Sequence, residues 1–433
     1  MKLLVKNIPT PAMFMLLVIG FAGSWIFSPL AVAGEITWAE AVREAVEHHP
    51  DLVSADESVI VAKSNKGSTA AGLWPTITAE ASGGSSETRS AGSVSKNAFA
   101  YGVSGRQLLF DGFKTVYEVE AAADAVDNAE YARRVTSSDV RLRLRKAYTG
   151  LWRAQRLVDI TSRIADRRKQ SFDLIQLRYD AGREHRGSLL TADANWAQAK
   201  FELDRAIRGL RTSQRNLIKE LGRQSFEPLT VAQNIDAPAP PAEEPDFEQL
   251  AIQTPFLLQL AVQKEAAKWG VRSAVADFFP SVYASAATGR SGDRWLPQTT
   301  GWSAGVSGSM TLFDGGSLWV GFQKARAQRT AAEADERSGR DGVLLTLESA
   351  WAAWQNAGGA AAVQLKYSDA ARERAEIAQA EYGTGLISFN DWVIIEDNLV
   401  QAEKSYLDAQ AAVLNAESDW RQAKGDMLDE TSI

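Results

Sequence analysis

Cysteine is absent from all 433 residues, which excludes disulfides and an amino-terminal lipid-bearing Cys. Histidine is scarce: only His48, His49 and His185 occur, without metal-ligand spacing, so no metal or other cofactor is expected. Proline is missing between Pro75 and Pro228 and again after Pro297, leaving two windows open to uninterrupted helix. Beyond the amino terminus no apolar run approaches the roughly 20 residues of a membrane-spanning helix, so a membrane could be crossed only as a barrel. No P-loop, dinucleotide turn, or Ser/His/Asp set with a plausible elbow is found, and an enzyme is not expected.

At the amino terminus, Lys2 and Lys6 precede an apolar stretch from Ala12 to Phe27 and the small triplet Ala31-Val32-Ala33. That order predicts a cleaved signal peptide over residues 1–33; the alternative, an uncleaved helix, meets Gly20, Gly23, Ser24 and Pro29. Loss of the two lysines takes the formal charge from -7 to -9, unsuited to nucleic acid.

The chain is two copies of one unit. Pro50 and Leu73-Trp74-Pro75 match Pro255 and Phe278-Phe279-Pro280 at an offset of 205. From there the offset is 203: Leu109-Phe110-Asp111-Gly112 against Leu312-Phe313-Asp314-Gly315, Tyr179 and Gly182 against Tyr382 and Gly385, Gly222 against Gly425. One two-residue difference reconciles both halves. The repeats are expected over 34–222 and 246–425, joined by a Pro-rich extended connector over 223–245 and followed by a short tail, 426–433.

Within each copy the stretches 111–182 and 314–385 read as very long helices, with Asp111 and Asp314 as N-caps and glycine at the end. A helix of such length must be a coiled coil or part of a repeat. The helices expected next, 188–222 and 388–425, carry heptad seams: Leu189, Trp196, Leu203, Leu210 and Leu217 with Ala192, Ala199 and Ala206, and Trp392, Leu399, Tyr406, Val413 and Trp420 with Ile395, Ala402, Ala409 and Ala416. Before each long helix the period falls to two. Hairpins are expected at about 76–110 and 281–313, with Phe99, Tyr101, Val103 and Leu109 on one face and Trp302, Val306 and Leu312 on another. Each fits a transmembrane hairpin or a soluble one. Four strands cannot close a barrel and an open edge is forbidden in lipid, so a membrane-crossing chain must oligomerise; three chains would supply twelve strands.

With Trp38-Ala39-Glu40-Ala41, His49-Pro50, Leu-Trp-Pro75, the paired Leu-Phe-Asp-Gly motifs and the paired Tyr-x-x-Gly tips in this order, the sequence over about 34–425 resembles the TolC-like outer-membrane channels of tripartite efflux and type I secretion. The resemblance implies a homotrimer in which a twelve-stranded transmembrane β-barrel in the outer-membrane lipid continues into a coiled-coil α-helical barrel crossing the periplasm. It also implies opening at the helix tips when a membrane-fusion adaptor and an inner-membrane pump of resistance-nodulation-division, ABC or major-facilitator type dock there. On this resemblance Tyr179, Gly182, Arg183, Arg186, Tyr382 and Gly385 form the tips, and Asp391 is the acidic constriction; Asp391 also fits an N-terminal cap, and the polar tip a solvated loop. Ile394 stands where the family pattern has a second Asp and Ile387 where it has a basic gate residue, while Glu396 and Asp397 follow with undetermined facing. Two other readings are an adhesive or structural coiled-coil trimer anchored in the outer membrane, and a soluble periplasmic scaffold.

Overall fold

The computed structural model describes residues 34–90, 92–232, 239–241 and 243–428; the expected signal peptide and the last residues of the tail lie outside them. The first copy runs β1 (Gly34–Ile36), α1 (Trp38–His48), α2 (Pro50–Ala71), β2 (Thr76–Ser90), β3 (Gly92–Phe110), α3 (Lys114–Asp180) and α4 (Arg186–Glu220). After β4 (Leu229–Val231) the second runs α5 (Phe247–Gln253), α6 (Pro255–Ala276), β5 (Ser281–Gly292), β6 (Thr299–Ser309), α7 (Ser317–Thr384) and α8 (Phe389–Lys424). At 67 and 68 residues, α3 and α7 are each about 100 Å long. No helix among the described residues is long and apolar enough to cross a membrane.

Two details correct the expected boundaries. Asp111 and Asp314 stand outside their helices rather than capping them directly, because a turn with positive φ at Gly112 and Phe113, and at Gly315 and Gly316, intervenes. Each carboxylate still satisfies an orphan amide of the first turn: Thr115 N–H donates to Asp111 at 2.9 Å and Leu318 N–H to Asp314 at 2.7 Å. Nor is the connector wholly free of folded structure: its β4 pairs in parallel with β1, and Gln155 on α3 holds Val231 through both of its backbone groups.

Strands β2, β3, β5 and β6 form one antiparallel sheet in that order, so that β2 and β6 are free edges. The register aligns Ala79, Val103, Thr288 and Trp302 across all four strands. Ile77, Tyr101, Val103, Trp302 and Val306 lie on this face, all exposed, with Trp302 at 82%. The opposite face carries Thr78, Glu80, Ser104, Ser285 and Ser303. A sheet with a bare apolar face and a polar back suits lipid outside and water inside. Where strands meet helices, Trp74, Phe113, Phe279, Phe313 and Trp319 make an exposed aromatic band, the type of side chain that settles at a membrane interface.

The helices stand in a single row, α2 with α4, then α3, then α6 with α8, then α7. α4 ends where α2 begins, and Gly222 (φ 77°) lies so close to the His48 carbonyl that a Cβ would collide with it. Gly425 (φ 83°) abuts Pro255 in the same way, placing α8 end to end with α6. Each long helix is thus paired along its length, α3 by α2 and α4, α7 by α6 and α8, while α3 also packs on α6 and α8. That sandwiched position fills the main core: Val140, Leu144 and Leu151 of α3 are fully buried with Leu217 and Leu414. At the first junction the buried Glu220 carboxylate receives His49, Arg143 and Lys219.

Replacing Gly222 by Ala should strain a positive φ and push the junction apart, costing about 1–3 kcal/mol. A lower thermal midpoint by circular dichroism is expected; an unchanged midpoint would mean that α4 and α2 do not bear on each other there.

Candidate functional site

Both helical hairpins reverse on glycine, at Gly182 (φ 70°) and Gly385 (φ 83°), conformations that ordinary side chains avoid. α4 then starts at His185, whose Nδ1 accepts from Ser188 N–H at 3.1 Å, and α8 starts at Ser388, whose Oγ accepts from Asp391 N–H at 3.2 Å.

The two tips are unequal. Tyr382, in the last turn of α7, is 3% exposed and stacks on Trp392 of α8 with ring centroids 4.6 Å apart. Ile175 and Ala192 of the first hairpin and Ala378 of the second close round it. Its hydroxyl donates to Glu184 Oε2 at 3.1 Å, Arg178 lies over its ring at 4.5 Å, and Arg178 Nη1 donates to its carbonyl at 3.4 Å. Tyr382 therefore ties the second hairpin to the first by a cation–π contact and a hydrogen bond to a carboxylate, the latter alone worth about 2 kcal/mol, while the aromatic stack fixes its ring within its own hairpin. Tyr179, its counterpart, stays 37% exposed at the end of α3. Arg183 and Arg186 project from the first tip, exposed and without an ion-pair partner among the described residues.

Burial alone would raise the Glu184 carboxyl, but hydrogen bonds from Ser188 and Tyr382 outweigh it and hold the group below its ordinary value. Burial pushes the Tyr382 phenol up, so it remains a donor at neutral pH.

Of the residues singled out in the sequence, the structure brings Tyr382 and Gly385 into this cluster and leaves Tyr179, Gly182, Arg183 and Arg186 on the exposed first tip. Asp391 is exposed in the first turn of α8, where Ser388 rather than Asp391 caps the helix; the Asp391 carboxylate accepts from Ser388 Oγ at 2.7 Å and meets solvent. Glu396 is buried and bound to Arg167 at 3.0 Å; Asp397 receives Arg168 at 2.5 Å. Two contributors were missed, Arg178 and the partner role of Glu184. Ile387, at the position expected to be basic, packs against the apolar cluster, and the cation arrives instead from α3. A short acidic residue beside the tip glycine was the only signal for Glu184; nothing along the chain pointed to Arg178.

Comparison with known proteins supplies the decisive observation. A family model described as outer membrane efflux protein matches residues 41–223 and 247–426. The chain belongs to the outer membrane efflux protein family. Its relatives are outer-membrane channels rather than enzymes, which places this member of the family in the outer membrane. It is 22% identical over 329 residues to the outer membrane efflux protein BepC of Brucella suis biovar 1, covering 73% of this chain and 71% of that protein. It is 26% identical over 219 residues to the alkaline protease secretion protein AprF of Pseudomonas aeruginosa, covering 47% and 44%. Among solved structures, the open state of the Neisseria gonorrhoeae MtrE outer membrane channel superposes with a TM-score of 0.77 at 19% identity, over 89% of this chain and 88% of that one. The fold is therefore that of the trimeric efflux channels, a helical barrel joined to a β-barrel.

Replacing Tyr382 by Phe keeps the stack and deletes the hydrogen bond to Glu184. Amides at the start of α8 should then exchange with solvent roughly 30-fold faster, equivalent to about 2 kcal/mol. Unchanged exchange would show that the hydroxyl holds nothing. Because Glu184 is depressed in the folded tip, its contribution is present above the ordinary carboxylate range and lost as pH falls through the lowered value. Exchange protection should accordingly be flat from about pH 8 to pH 5 and fall only in more acid solution; loss near neutrality would contradict the assignment.

Proposed function

We propose that this efflux-family chain is the passive outer-membrane conduit of a tripartite efflux or type I secretion system, working as a homotrimer. The observation that carries this reading is the sheet: four strands, two free edges, an apolar face and a polar back. Backbone groups along β2 and β6 can be satisfied in lipid only if copies join edge to edge, and the smallest bacterial barrels already need about eight strands. The resulting polar-lined pore continues inside the ring that the rows of helices from three copies would form.

On this reading the tips are the gate. Tyr382, held by Glu184 and Arg178, keeps the second hairpin against the first, and release of that contact opens the channel. The exposed Arg183 and Arg186 form part of the surface offered to a periplasmic adaptor, and energy comes from an inner-membrane pump of resistance-nodulation-division, ABC or major-facilitator type, in keeping with a sequence that carries no P-loop motif. Three copies of Asp391 round the constriction would create a negative potential that favours cations. Cargo follows the pump, in keeping with relatives whose names divide between efflux and protease secretion.

Planar-bilayer recording of the purified protein tests both parts. Discrete conductance with cation preference is expected, and a total lack of conductance would sink the channel reading. Asp391→Asn should lower the cation-to-anion permeability ratio severalfold, about what halving a surface potential of several kT predicts; unchanged selectivity would remove Asp391 from the constriction.

A further inference from the structure

The two junctions at which short helices meet end to end differ in what fills them. At the first, Arg143 of α3 binds both Asp51 of α2 and the buried Glu220 of α4, and His49 completes the cluster 3.4 Å from Glu220. The second copy has Thr346 in place of Arg143, Phe256 in place of Asp51, Ala423 in place of Glu220 and Thr254 in place of His49. No member of the ionic cluster survives. In its place a cavity of about 610 Å³ opens between α6, α7, the end of α8 and the adjoining turns of α3. Phe256, Leu260, Gly339, Gly342, Val135 and Ala423 line it, and Asp335 is the one charged side chain in its wall. Leu260 lies so close to α7 that a Cβ on Gly339 would collide with it, whereas a Cβ on Gly342 would meet nothing within 4 Å. The volume falls within the roughly 300–1,000 Å³ of sites that hold small organic molecules.

Helix geometry shows on which side of the row the cavity opens. α5 packs on α7 beside Arg340, which binds Glu248 at 2.6 Å, and beside Leu344, Leu347 and Trp351, all on one stripe of the helix. Gly339, Gly342 and Thr346 lie roughly a third to a half of a turn round α7 from that stripe. In the first copy Trp38 of α1 packs on Tyr148, the counterpart of Trp351, with ring centroids 5.7 Å apart. α1 and α5 therefore flank the same side of the row. In a ring that conducts, such added helices have room only outside, because inside they would fill the bore. The cavity, on the far side of α7 from α5, opens inward.

We propose that this cavity is a binding site for amphiphilic organic cations on the inner wall of the conduit, one in each chain. This rests on the reading of the chain as an outer-membrane conduit and names a class of cargo for it. The apolar body of such a molecule displaces water from Phe256, Leu260 and Val135, while its charge stays at the rim beside Asp335, an exposed carboxylate in no ion pair among the described residues. An anion finds no cation in the lining, and a neutral molecule gains from apolar burial alone. A side chain of the neighbouring copy is the poorer occupant, since that copy lies beyond α7 in the row whereas the cavity lies between α7 and α3. Bound against the wall, cargo is retained without plugging the bore.

The test titrates the full-length protein in lipid nanodiscs with ethidium, an amphiphilic cation, and with N-phenyl-1-naphthylamine, a neutral apolar compound. Ethidium should bind saturably at one site per chain. Gly342→Leu fills the cavity from a position where a side chain meets no neighbour, and it should weaken ethidium at least tenfold without lowering the thermal midpoint. Asp335→Asn should weaken ethidium about threefold to fivefold, the scale of an exposed charge pair, and leave the neutral compound unchanged. A lack of saturable binding, or an ethidium affinity that Gly342→Leu does not alter, would overturn the proposal. The cysteine-free chain permits a second measurement. With Thr346→Cys, a small maleimide should label position 346 and ethidium should slow the reaction, whereas a maleimide on a polymer too large for the bore should not reach it. Glu248→Cys on α5 should react with both reagents. Polymer labelling as fast at position 346 as at position 248 would remove the inward site and the conduit reading together. Exclusion of the polymer without any effect of ethidium would refute the site and leave the conduit standing. Resistance of position 346 even to the small maleimide would mean that a neighbouring chain fills the cavity, which also refutes it.

Discussion

Backbone amides and carbonyls cannot be left bare in hydrocarbon, and this one constraint governs the molecule from the sheet downward. β2 and β6 each present an unpaired row of such groups, while the sheet between them is apolar on one face over its whole width. Only another copy of the same sheet can satisfy both edges at once without an end being left over. Joining β6 of one chain to β2 of the next is a head-to-tail contact, and such contacts close into a ring when the rotation allows. The helices obey the same order: α3 is sandwiched within the chain, while α7 on one flank and α2 with α4 on the other keep a side uncovered. Leu190 and Phe201 are exposed on α4, and Leu345, Val363 and Tyr367 on α7, so the flanks carry apolar residues for the neighbouring copy to cover.

Duplication supplies the architecture and divergence supplies the asymmetry. Both copies stack their short helices through a glycine at the same place, both turn from strand to helix on Leu-Phe-Asp-Gly, and both reverse on a tip glycine. Tyr179 and Tyr382, however, end in different surroundings. α8 offers Trp392 to stack on and has α3 alongside with Arg178; the first hairpin puts Leu189 where α8 has Trp392. A symmetric repeat would make every hairpin equivalent. The unequal tips single out one hairpin pair within each chain.

Much of this architecture was legible in the sequence because it is written in local periods. Heptads over α4 and α8, alternation over β3 and β6, and long stretches without proline each act within a few residues, and the duplication doubles every signal. Contacts that depend on how one hairpin sits against the other were not legible. Arg178 meets Tyr382 across 204 residues, whereas the family pattern has its basic residue at the position of Ile387. Strands β1 and β4 escaped notice since three residues are too few to show a period. Asp391 was legible as an acidic residue at the start of α8, but that Ser388 caps the helix and donates to its carboxylate was not.

The most direct test of the account is whether β2 and β6 meet between copies. With Ala79 and Ala304 replaced by Cys in this cysteine-free chain, oxidative or short-linker cross-linking in the native outer membrane should give a covalent ladder that stops at three chains on denaturing electrophoresis. A ladder that never leaves the monomer, or one that runs past three, would contradict closure of a three-chain barrel.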